Sequence, residues 1–304
     1  MRIAVFGTGA VGGYFGGRLA AAGEDVTFIA RGAHLAALQE QGLRITSPKG
    51  NIAIPVKATN DSASIGPVDV VLLTVKLYDV DAAIPSLAPL MGPDTVIITL
   101  QNGVEAVDMV GKHVGADHVA GGVAYIVAVV DVPGHIRHTV ADRLVFGEPD
   151  GRLSPRLQAF QAAGRRAGFV ADLTSGIDTE LWVKFVRLGT WSGMTSATRS
   201  AMGTIREHPE LLAMMDAALD EAMAVGRARG ITFPDGLVEG TQEMVRNFPP
   251  GSKSSMLEDL ERGRRLELPW LSGAIARMGR ESGVPTPTHG FINAILLPFA
   301  NGRN

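Results

Sequence analysis

Cysteine is absent from this chain of 304 residues, which excludes disulfides, thiolate zinc sites and cysteine nucleophiles. A chain without cysteine fits a reducing compartment, so we expect a cytoplasmic protein. Long hydrophobic runs are also missing. The longest largely apolar stretch extends from Val119 to Val130, whereas a membrane-spanning helix needs roughly 18 residues or more. Because Met1–Phe6 follows a strand pattern and not that of a signal peptide, we predict no membrane association.

A strong excess of one charge is missing as well. The chain has 28 lysines and arginines against 31 aspartates and glutamates, a formal net charge of −3. That balance excludes a globally basic nucleic-acid binder. The short basic run Arg262–Arg265 lies beside Glu258, Asp259 and Glu267, so a solvated helix face explains it better than a nucleic-acid site.

What is present is apolar content in two different patterns. Hydrophobic residues make up 46% of the chain, enough to bury cores, and its length predicts two domains. In the first half, short β-branched runs alternate with helical patterns. The runs are Ile3–Phe6, Val26–Ile29, Val68–Val75 and Val96–Leu100, with helices expected near 11–22, 33–41, 78–91 and 104–113. This alternation predicts an α/β fold, a Rossmann-type doubly wound sheet.

Beyond about residue 152 the pattern becomes helical. Before this point lies a β-rich stretch at 118–147 with a turn at Pro133-Gly134. A helix at 153–168 and a last strand at 168–173 come after it. Helix-sized segments then cover 178–198, 208–229, 234–247, 252–262 and 268–282. We therefore predict a Rossmann domain over 1–173 and a mostly α-helical C-terminal domain over 174–304.

A glycine motif, G-x-G-x-x-G, follows the first strand and opens the first helix. It reads Gly7-Thr8-Gly9-Ala10-Val11-Gly12. Its glycines permit a tight turn, close approach of a pyrophosphate and close packing of helix on strand, in that order. The helix N-terminus offers N–H groups to phosphates. The alternative is a glycine-rich turn without a ligand, but the position after one strand of a βαβ unit favours a dinucleotide site formed by these six residues.

The residue after the second strand bears on the choice of cofactor. NAD sites usually have an acidic residue there for the ribose hydroxyls, whereas this chain has Arg31. A guanidinium can bind a 2′-phosphate through two parallel hydrogen bonds. A solvated loop arginine is the alternative, and we predict that NADPH is the cofactor.

One lysine lies in an otherwise mostly apolar helical segment. Lys184 either extends to the helix edge or is buried, where desolvation would lower its pKa. Glu180 is four residues earlier, so the two could also form a simple helix salt bridge. The spacing alone leaves these alternatives open.

Several motifs in order resemble the ketopantoate reductase (2-dehydropantoate 2-reductase) family over essentially the whole chain. They are Gly7–Gly12, Arg31, Thr74–Lys76, Gln101–Gly103, Glu180–Lys184, Ser254–Met256 with Asp259, and Glu267 before Gly273. The resemblance implies that Lys184 is the general acid and that Glu267 hydrogen-bonds the substrate. It also implies that Ser255 contacts the substrate carboxylate, and that Asn102 and Lys76 lie where cofactor and substrate meet.

The chain also departs from the family pattern. Members typically carry asparagines one and two turns after the lysine and on the following loop, where this chain has Leu188, Ser192 and Met202. Pro269 replaces an acid that often follows the glutamate. The substrate-reading surface is therefore expected to differ, and Thr195, Thr198 and Arg199 could form a different reading set.

The resemblance implies NADPH-dependent reduction of a small 2-oxo acid to a 2-hydroxy acid, by default 2-dehydropantoate to pantoate, a precursor of pantothenate and coenzyme A. Alternatives are a different 2-oxo acid or an imine as substrate, or a protein that senses NADPH without turnover. A homodimer is possible. We expect no metal, because His135 and His138 would face opposite sides of a strand.

Overall fold

The computed structural model describes residues 1–302. By their contacts these residues divide into two compact units. The first comprises Met1–Gln101 and Glu105–Ile177, and the second comprises Asn102–Val104 and the described residues from Asp178 onward. The domain limits of 1–173 and 174–304 stay a prediction.

The first unit is built on a ten-stranded sheet. Its strands are β1 (Arg2–Phe6), β2 (Asp25–Ile29), β3 (Leu43–Thr46), β4 (Ile52–Ile54), β5 (Lys57–Thr59), β6 (Val70–Leu73), β7 (Val96–Thr99), β8 (Val119–Val132), β9 (His135–Gly147) and β10 (Val170–Leu173). They lie in the order β4-β3-β9-β8-β7-β6-β1-β2-β5, and β10 pairs with β9. The pairs β1–β2, β1–β6, β6–β7 and β7–β8 are parallel.

The central strands are apolar on both faces, as parallel strands covered by helices must be. Every residue of β6 and β7 is buried. The helices of this unit are α1 (Ala10–Ala21), α2 (Gly32–Gln41), α3 (Val80–Ala83), α4 (Ala106–Val114) and α5 (Pro155–Arg166). A continuous core joins α1, the sheet and α5 through Phe15, Phe146 and Phe160. The predicted Rossmann-type α/β fold is confirmed, and the carboxyl ends of β1, β2 and β6 carry the glycine motif, Arg31 and Lys76.

One predicted helix of this unit is wrong. The segment 78–91 forms only the four-residue α3 with 3₁₀ turns at Leu77–Asp79, Ile84–Ser86 and Ala88–Leu90. Pro85 and Pro89 explain the difference, because proline lacks the amide donor that continues an α-helix. The strands β3, β4 and β5 are absent from the sequence prediction, since each is short and partly exposed and lacks the continuous buried apolar run of the central strands.

The β-rich stretch at 118–147 is a long antiparallel hairpin of β8 and β9, turning at Pro133-Gly134 as predicted. Gly134 has a φ of 77°, which glycine adopts readily. The hairpin extends the parallel sheet with an antiparallel pair, so the sheet as a whole is mixed.

The second unit is helical. It contains α6 (Ile177–Thr198, whose first residue belongs to the first unit), α7 (Met202–Glu207), α8 (Pro209–Ala228), α9 (Leu237–Asn247), α10 (Ser255–Glu261), α11 (Ser272–Ser282) and α12 (Pro287–Leu296). The prediction missed α7 and α12. Its core includes Phe185, Leu219, Leu257 and Ile275. Within residues 1–302, no helix is long and apolar enough to cross a membrane.

Candidate active site

The glycine motif forms a loop fixed to the end of the neighbouring strand β2. The amides of Gly7 and Thr8 both donate to the carbonyl oxygen of Ile29, at 3.2 and 3.1 Å. The Thr8 hydroxyl donates to the same oxygen at 3.0 Å, and Thr8 is buried. Thr74, which follows β6, donates through Oγ1 to the carbonyl oxygen of Gly7 at 2.5 Å. Contacts from both neighbouring strands therefore hold the loop backbone in place.

At two positions of the loop, contacts within the protein require glycine. Gly7 has a φ of 95°, and a Cβ there would lie 2.7 Å from the backbone nitrogen of Val75. A Cβ at Gly12 would overlap Oγ1 of Thr74 and lie 2.8 Å from Cγ1 of Val5. The tight turn and the close packing of α1 on β1 thus account for these two positions.

Gly9 is different, because packing within the protein does not require glycine there. Its φ is −86°, and apart from the adjacent residues the nearest atom to a Cβ would be the Gly7 carbonyl oxygen at 4.0 Å. Gly9 is also the N-cap of α1, and no side chain caps this helix end. The space beside Gly9 and the amides of the first helical turn, from Ala10 to Gly12, fit a bound phosphate group. The motif therefore fits the pyrophosphate of a dinucleotide.

Arg31 and Lys76 lie at the ends of two further strands of this unit. Arg31 is exposed and is the N-cap of α2, directly after β2. No acidic residue occupies the first turn of α2. Lys76 is half-buried and precedes the 3₁₀ turn that follows β6. Both cations are on the edge of the sheet that carries the glycine loop, where the sequence predicts that they contact the cofactor.

In the second unit, Lys184 lies near the N-terminal end of α6. Burial of its ammonium group lowers the pKa of Lys184 from 10.5 to about 8, while the nearby Glu267 carboxylate acts in the opposite direction. An amine with a pKa near 8 is still largely protonated at neutral pH and gives up its proton more readily than an ordinary lysine. These are the properties of a general acid.

Glu267, a second predicted site residue, lies near Lys184. Its side chain is 4% exposed, and it immediately precedes the 3₁₀ turn Leu268–Trp270. Asn102 donates from Nδ2 to Oε2 of Glu267 at 3.3 Å, although the two residues are 165 positions apart in the chain. The structure therefore places Lys184, Glu267 and Asn102 in one group within the second unit.

The remaining predicted site residue, Ser255, is the exposed first residue of α10. Its neighbour Ser254 is fully buried and caps the helix, accepting from the Leu257 amide at 3.0 Å. The Ser254 hydroxyl also hydrogen-bonds Oγ1 of Thr195 on α6 at 2.7 Å. This buried pair of hydroxyls joins α6 to the start of α10 and fixes the position of Ser255, a role that the sequence motif did not reveal.

The altered positions on α6 do not offer replacement polar groups. Ser192 is 1% exposed and donates back to the Leu188 carbonyl oxygen at 2.5 Å. Thr198 likewise donates to the Met194 carbonyl oxygen at 2.8 Å. Arg199 has a φ of 51° and lies over the ring of Phe299 at 5.0 Å. These contacts argue against the alternative reading set suggested from the sequence.

The two histidines of the hairpin have structural partners. His135 contacts the Thr46 hydroxyl at 2.8 Å, and His138 contacts the Ser47 hydroxyl at 2.8 Å. Among the residues that the structure describes, no group of three or more histidine, aspartate or glutamate side chains could hold a metal ion.

A loop suited to phosphates and a lysine whose ammonium is desolvated near a carboxylate are typical of dinucleotide-dependent oxidoreductases. Residues 3–151 match the family described as "Ketopantoate reductase PanE/ApbA", and residues 176–298 match its C-terminal part, "Ketopantoate reductase PanE/ApbA C terminal". The chain therefore belongs to the ketopantoate reductase family of oxidoreductases.

Individual relatives agree with this assignment. The chain is 34% identical to a 2-dehydropantoate 2-reductase of Mesorhizobium japonicum, across 100% of this chain and 99% of that protein. A crystal structure of a PanE/ApbA family ketopantoate reductase from Ralstonia eutropha JMP134 has a TM-score of 0.92 at 29% identity, covering 99% of this chain and 98% of the other. A D-mandelate dehydrogenase solved with NADH and anilino(oxo)acetate shares the fold, with a TM-score of 0.88 at 22% identity and coverage of 99% and 98%.

Proposed function

We propose that this protein reduces a small 2-oxo acid to a 2-hydroxy acid with NADPH. The observation that carries the proposal is the group of Lys184, Glu267 and Asn102, in which the lysine ammonium is desolvated, in a chain whose glycine loop fits a dinucleotide. When bound, a reduced nicotinamide supplies a hydride. The chain must then bind the oxo acid and deliver a proton to its carbonyl oxygen.

Lys184 is the proposed proton donor. As the carbonyl carbon gains a hydride, its oxygen becomes an alkoxide, and the Lys184 ammonium transfers one proton to it. The product is a neutral hydroxyl and the lysine is left as an amine, which solvent reprotonates. A pKa of about 8 suits this step, because the ammonium is protonated at neutral pH and is a stronger acid than that of an ordinary lysine.

Glu267 and Asn102 are proposed to orient the reacting group. The Asn102 amide donates to one oxygen of the Glu267 carboxylate, which fixes the direction of the other oxygen. A fixed carboxylate beside the ammonium also favours its protonated form. Ser255, exposed at the first turn of α10, is the proposed contact for the substrate carboxylate.

The preference for NADPH rests on Arg31. It is exposed, follows β2, and has no acidic residue in the helical turn after it. The fold itself does not select the cofactor, since the D-mandelate dehydrogenase that shares it was solved with NADH. A guanidinium at this position supports binding of the 2′-phosphate.

The first compound to test is 2-dehydropantoate, the substrate that the name of the Mesorhizobium relative gives. Its reduction would yield pantoate, a precursor of pantothenate and coenzyme A. Purified protein is mixed with NADPH and a panel of 2-oxo acids that includes it, and loss of the reduced nicotinamide absorbance is followed. NADH in place of NADPH is the cofactor control.

Turnover of at least one 2-oxo acid, faster with NADPH than with NADH, is the expected result. Tight binding of NADPH without turnover of any oxo acid or imine would instead support a sensing protein and overturn the proposal. A sensor has no need of an amine with a lowered pKa, so the state of Lys184 favours the enzyme. The homodimer stays a prediction, which the mass of the protein in solution tests.

A further inference from the structure

Gln101 carries a buried amide just beyond the end of β7. Its Nε2 atom donates to the carbonyl oxygen of Leu73 at 2.9 Å and to that of Val75 at 3.0 Å. The nitrogen of a primary amide has two N–H groups, so this one side chain can serve both acceptors. The two bonds join the chain after β7 to the segment that leaves the neighbouring strand β6.

The segment that Gln101 binds, residues 74–76, is the one against which the glycine loop packs. A Cβ at Gly7 would lie 2.7 Å from the backbone nitrogen of Val75, which shows how closely the two backbones approach. The Thr74 hydroxyl donates to the carbonyl oxygen of Gly7. Lys76, predicted to lie beside the cofactor, is the last residue of this segment. The position of the turn at Gly7 therefore depends on where Thr74 and Val75 lie.

The bond to Val75 lies beyond the backbone pairing of the two strands. That pairing ends with Leu73 opposite Thr99, and the Leu100 amide adds one more bond, to the Leu73 carbonyl oxygen at 3.0 Å. The Leu73 oxygen thus has a backbone donor as well as Gln101. Loss of the Gln101 amide would therefore act chiefly on Val75, where a side chain continues what the strand pairing begins.

We propose that Gln101 is a positioning residue for the cofactor. Its amide holds the Val75 carbonyl, and Val75 and Thr74 in turn hold Gly7 in the conformation that receives the dinucleotide phosphates. Gln101 acts through these residues and not by contact with the cofactor. The inference rests on the proposed function, because it requires that the glycine loop bind a dinucleotide.

Gln101→Met removes both donors and keeps a side chain of nearly the same length. A segment released from these bonds must be ordered again when the cofactor binds, which opposes binding. We expect the dissociation constant for NADPH, measured by fluorescence titration, to rise about five- to a hundred-and-fiftyfold, as for the loss of two neutral hydrogen bonds. The KM for NADPH should rise likewise, whereas kcat at saturating NADPH should change far less, because Lys184 is retained. An unchanged dissociation constant, or a loss confined to kcat, overturns the inference and leaves the proposed function intact.

Gln161→Met is the matched control. Gln161 lies on α5 in the same unit, and its Nε2 also donates to a backbone carbonyl oxygen, that of Ala171 at 3.2 Å. Its loss should lower the thermal unfolding temperature but leave the NADPH dissociation constant within about twofold of the original, since no partner is shared with the glycine loop. Equal weakening of NADPH binding in both variants would indicate a general loss of the fold and contradict a positioning role.

A double-mutant cycle with Thr74→Val tests the route from Gln101 to the loop. Valine keeps the shape of threonine and removes the hydroxyl that donates to the Gly7 carbonyl oxygen. If Gln101 acts through residues 74–76, the double variant should bind NADPH at least about twofold more tightly than the product of the two single effects predicts. Strictly additive effects would overturn the inference. If the original protein binds neither NADPH nor NADH, the proposed function is overturned with it.

Discussion

The glycine loop of the first unit and the lysine site of the second are specified in opposite ways. The loop uses consecutive residues, Gly7 to Gly12, held by backbone bonds to Ile29. The lysine site joins Lys184 with Asn102 and Glu267, the last two 165 positions apart. A local loop can be written as a short motif, whereas a site of distant residues exists only after the chain has packed. If the two regions act separately, changes in the loop should alter cofactor binding and changes at the lysine site should alter turnover.

Replacing Lys184 should have the largest effect. Because it removes the proton donor, Lys184→Ala is expected to lower kcat/KM by about a hundred- to ten-thousandfold. Binding of NADPH, measured by fluorescence titration, should change little, since the glycine loop is intact. Lys112→Ala, which removes an exposed lysine of α4, is the control. Retained turnover in Lys184→Ala would show that another group supplies the proton.

Gly9→Ala makes the reverse change, in the loop. The added Cβ meets no crowded protein atom but enters the space assigned to the cofactor phosphate. The steric clash between this Cβ and the phosphate is expected to cost about 1–3 kcal/mol, which weakens NADPH binding about five- to a hundred-and-fiftyfold. The unfolding free energy should stay within about 0.5 kcal/mol of the original.

The matched control for Gly9→Ala is Gly290→Ala, at a position on α12 where a Cβ likewise meets no crowded atom, with nothing within 4 Å. It should leave NADPH affinity unchanged. Equal affinity for NADPH in the original protein and in Gly9→Ala would remove the phosphate role from this glycine.

Arg31→Ala tests the choice between the two cofactors, because it should weaken the binding of NADPH and not that of NADH. Loss of charge-assisted bonds of about 1.5–3 kcal/mol is expected to weaken NADPH binding about ten- to a hundredfold and to leave NADH binding unchanged. Arg44→Ala, on an exposed arginine of β3, controls for the change in net charge. A parallel loss for both cofactors would contradict a specific contact with the 2′-phosphate.

The pH dependence of turnover should follow the protonation of Lys184 in the second unit and not the binding of NADPH. The pKa of Lys184 is lowered to about 8, and the protonated form is the active one. Activity should therefore be full at pH values more than about one unit below 8 and fall as the pH rises through about 8, tenfold per unit well above it. A kcat/KM profile beside NADPH binding at each pH checks this. A flat profile up to about pH 10 would exclude Lys184 as the acid.

The smallest expected effect concerns the hydroxyl pair that joins α6 to α10. Thr195→Val leaves the buried Ser254 hydroxyl without the partner that lies 2.7 Å away. The free energy of unfolding is therefore expected to fall by about 1–3 kcal/mol. Thr195→Ser keeps the hydroxyl and should restore most of this loss. Urea denaturation measures both variants. Equal stability of the valine variant and the original would show that the pair contributes nothing.

Much of the first unit could be predicted because its signals are local. Buried strands such as Val96–Thr99 are continuous apolar runs, and the loop motif follows directly on β1. The segment at 78–91 could not be predicted from its apolar content, because prolines at 85 and 89 divide it into short turns. Short strands such as β5 depend on pairing with β2, which composition does not reveal.

The sequence by itself determined the α/β half, the helical half, the phosphate loop and the presence of an unusual lysine at position 184. Only the tertiary structure decided that the Lys184 ammonium is desolvated beside Glu267, and that Asn102 holds this carboxylate. It also decided that the hydroxyls of Ser192 and Thr195 turn back to the backbone of α6. The physical reason is that backbone conformation follows from neighbouring residues, whereas desolvation and hydrogen-bond partners depend on residues that folding brings from distant parts of the chain.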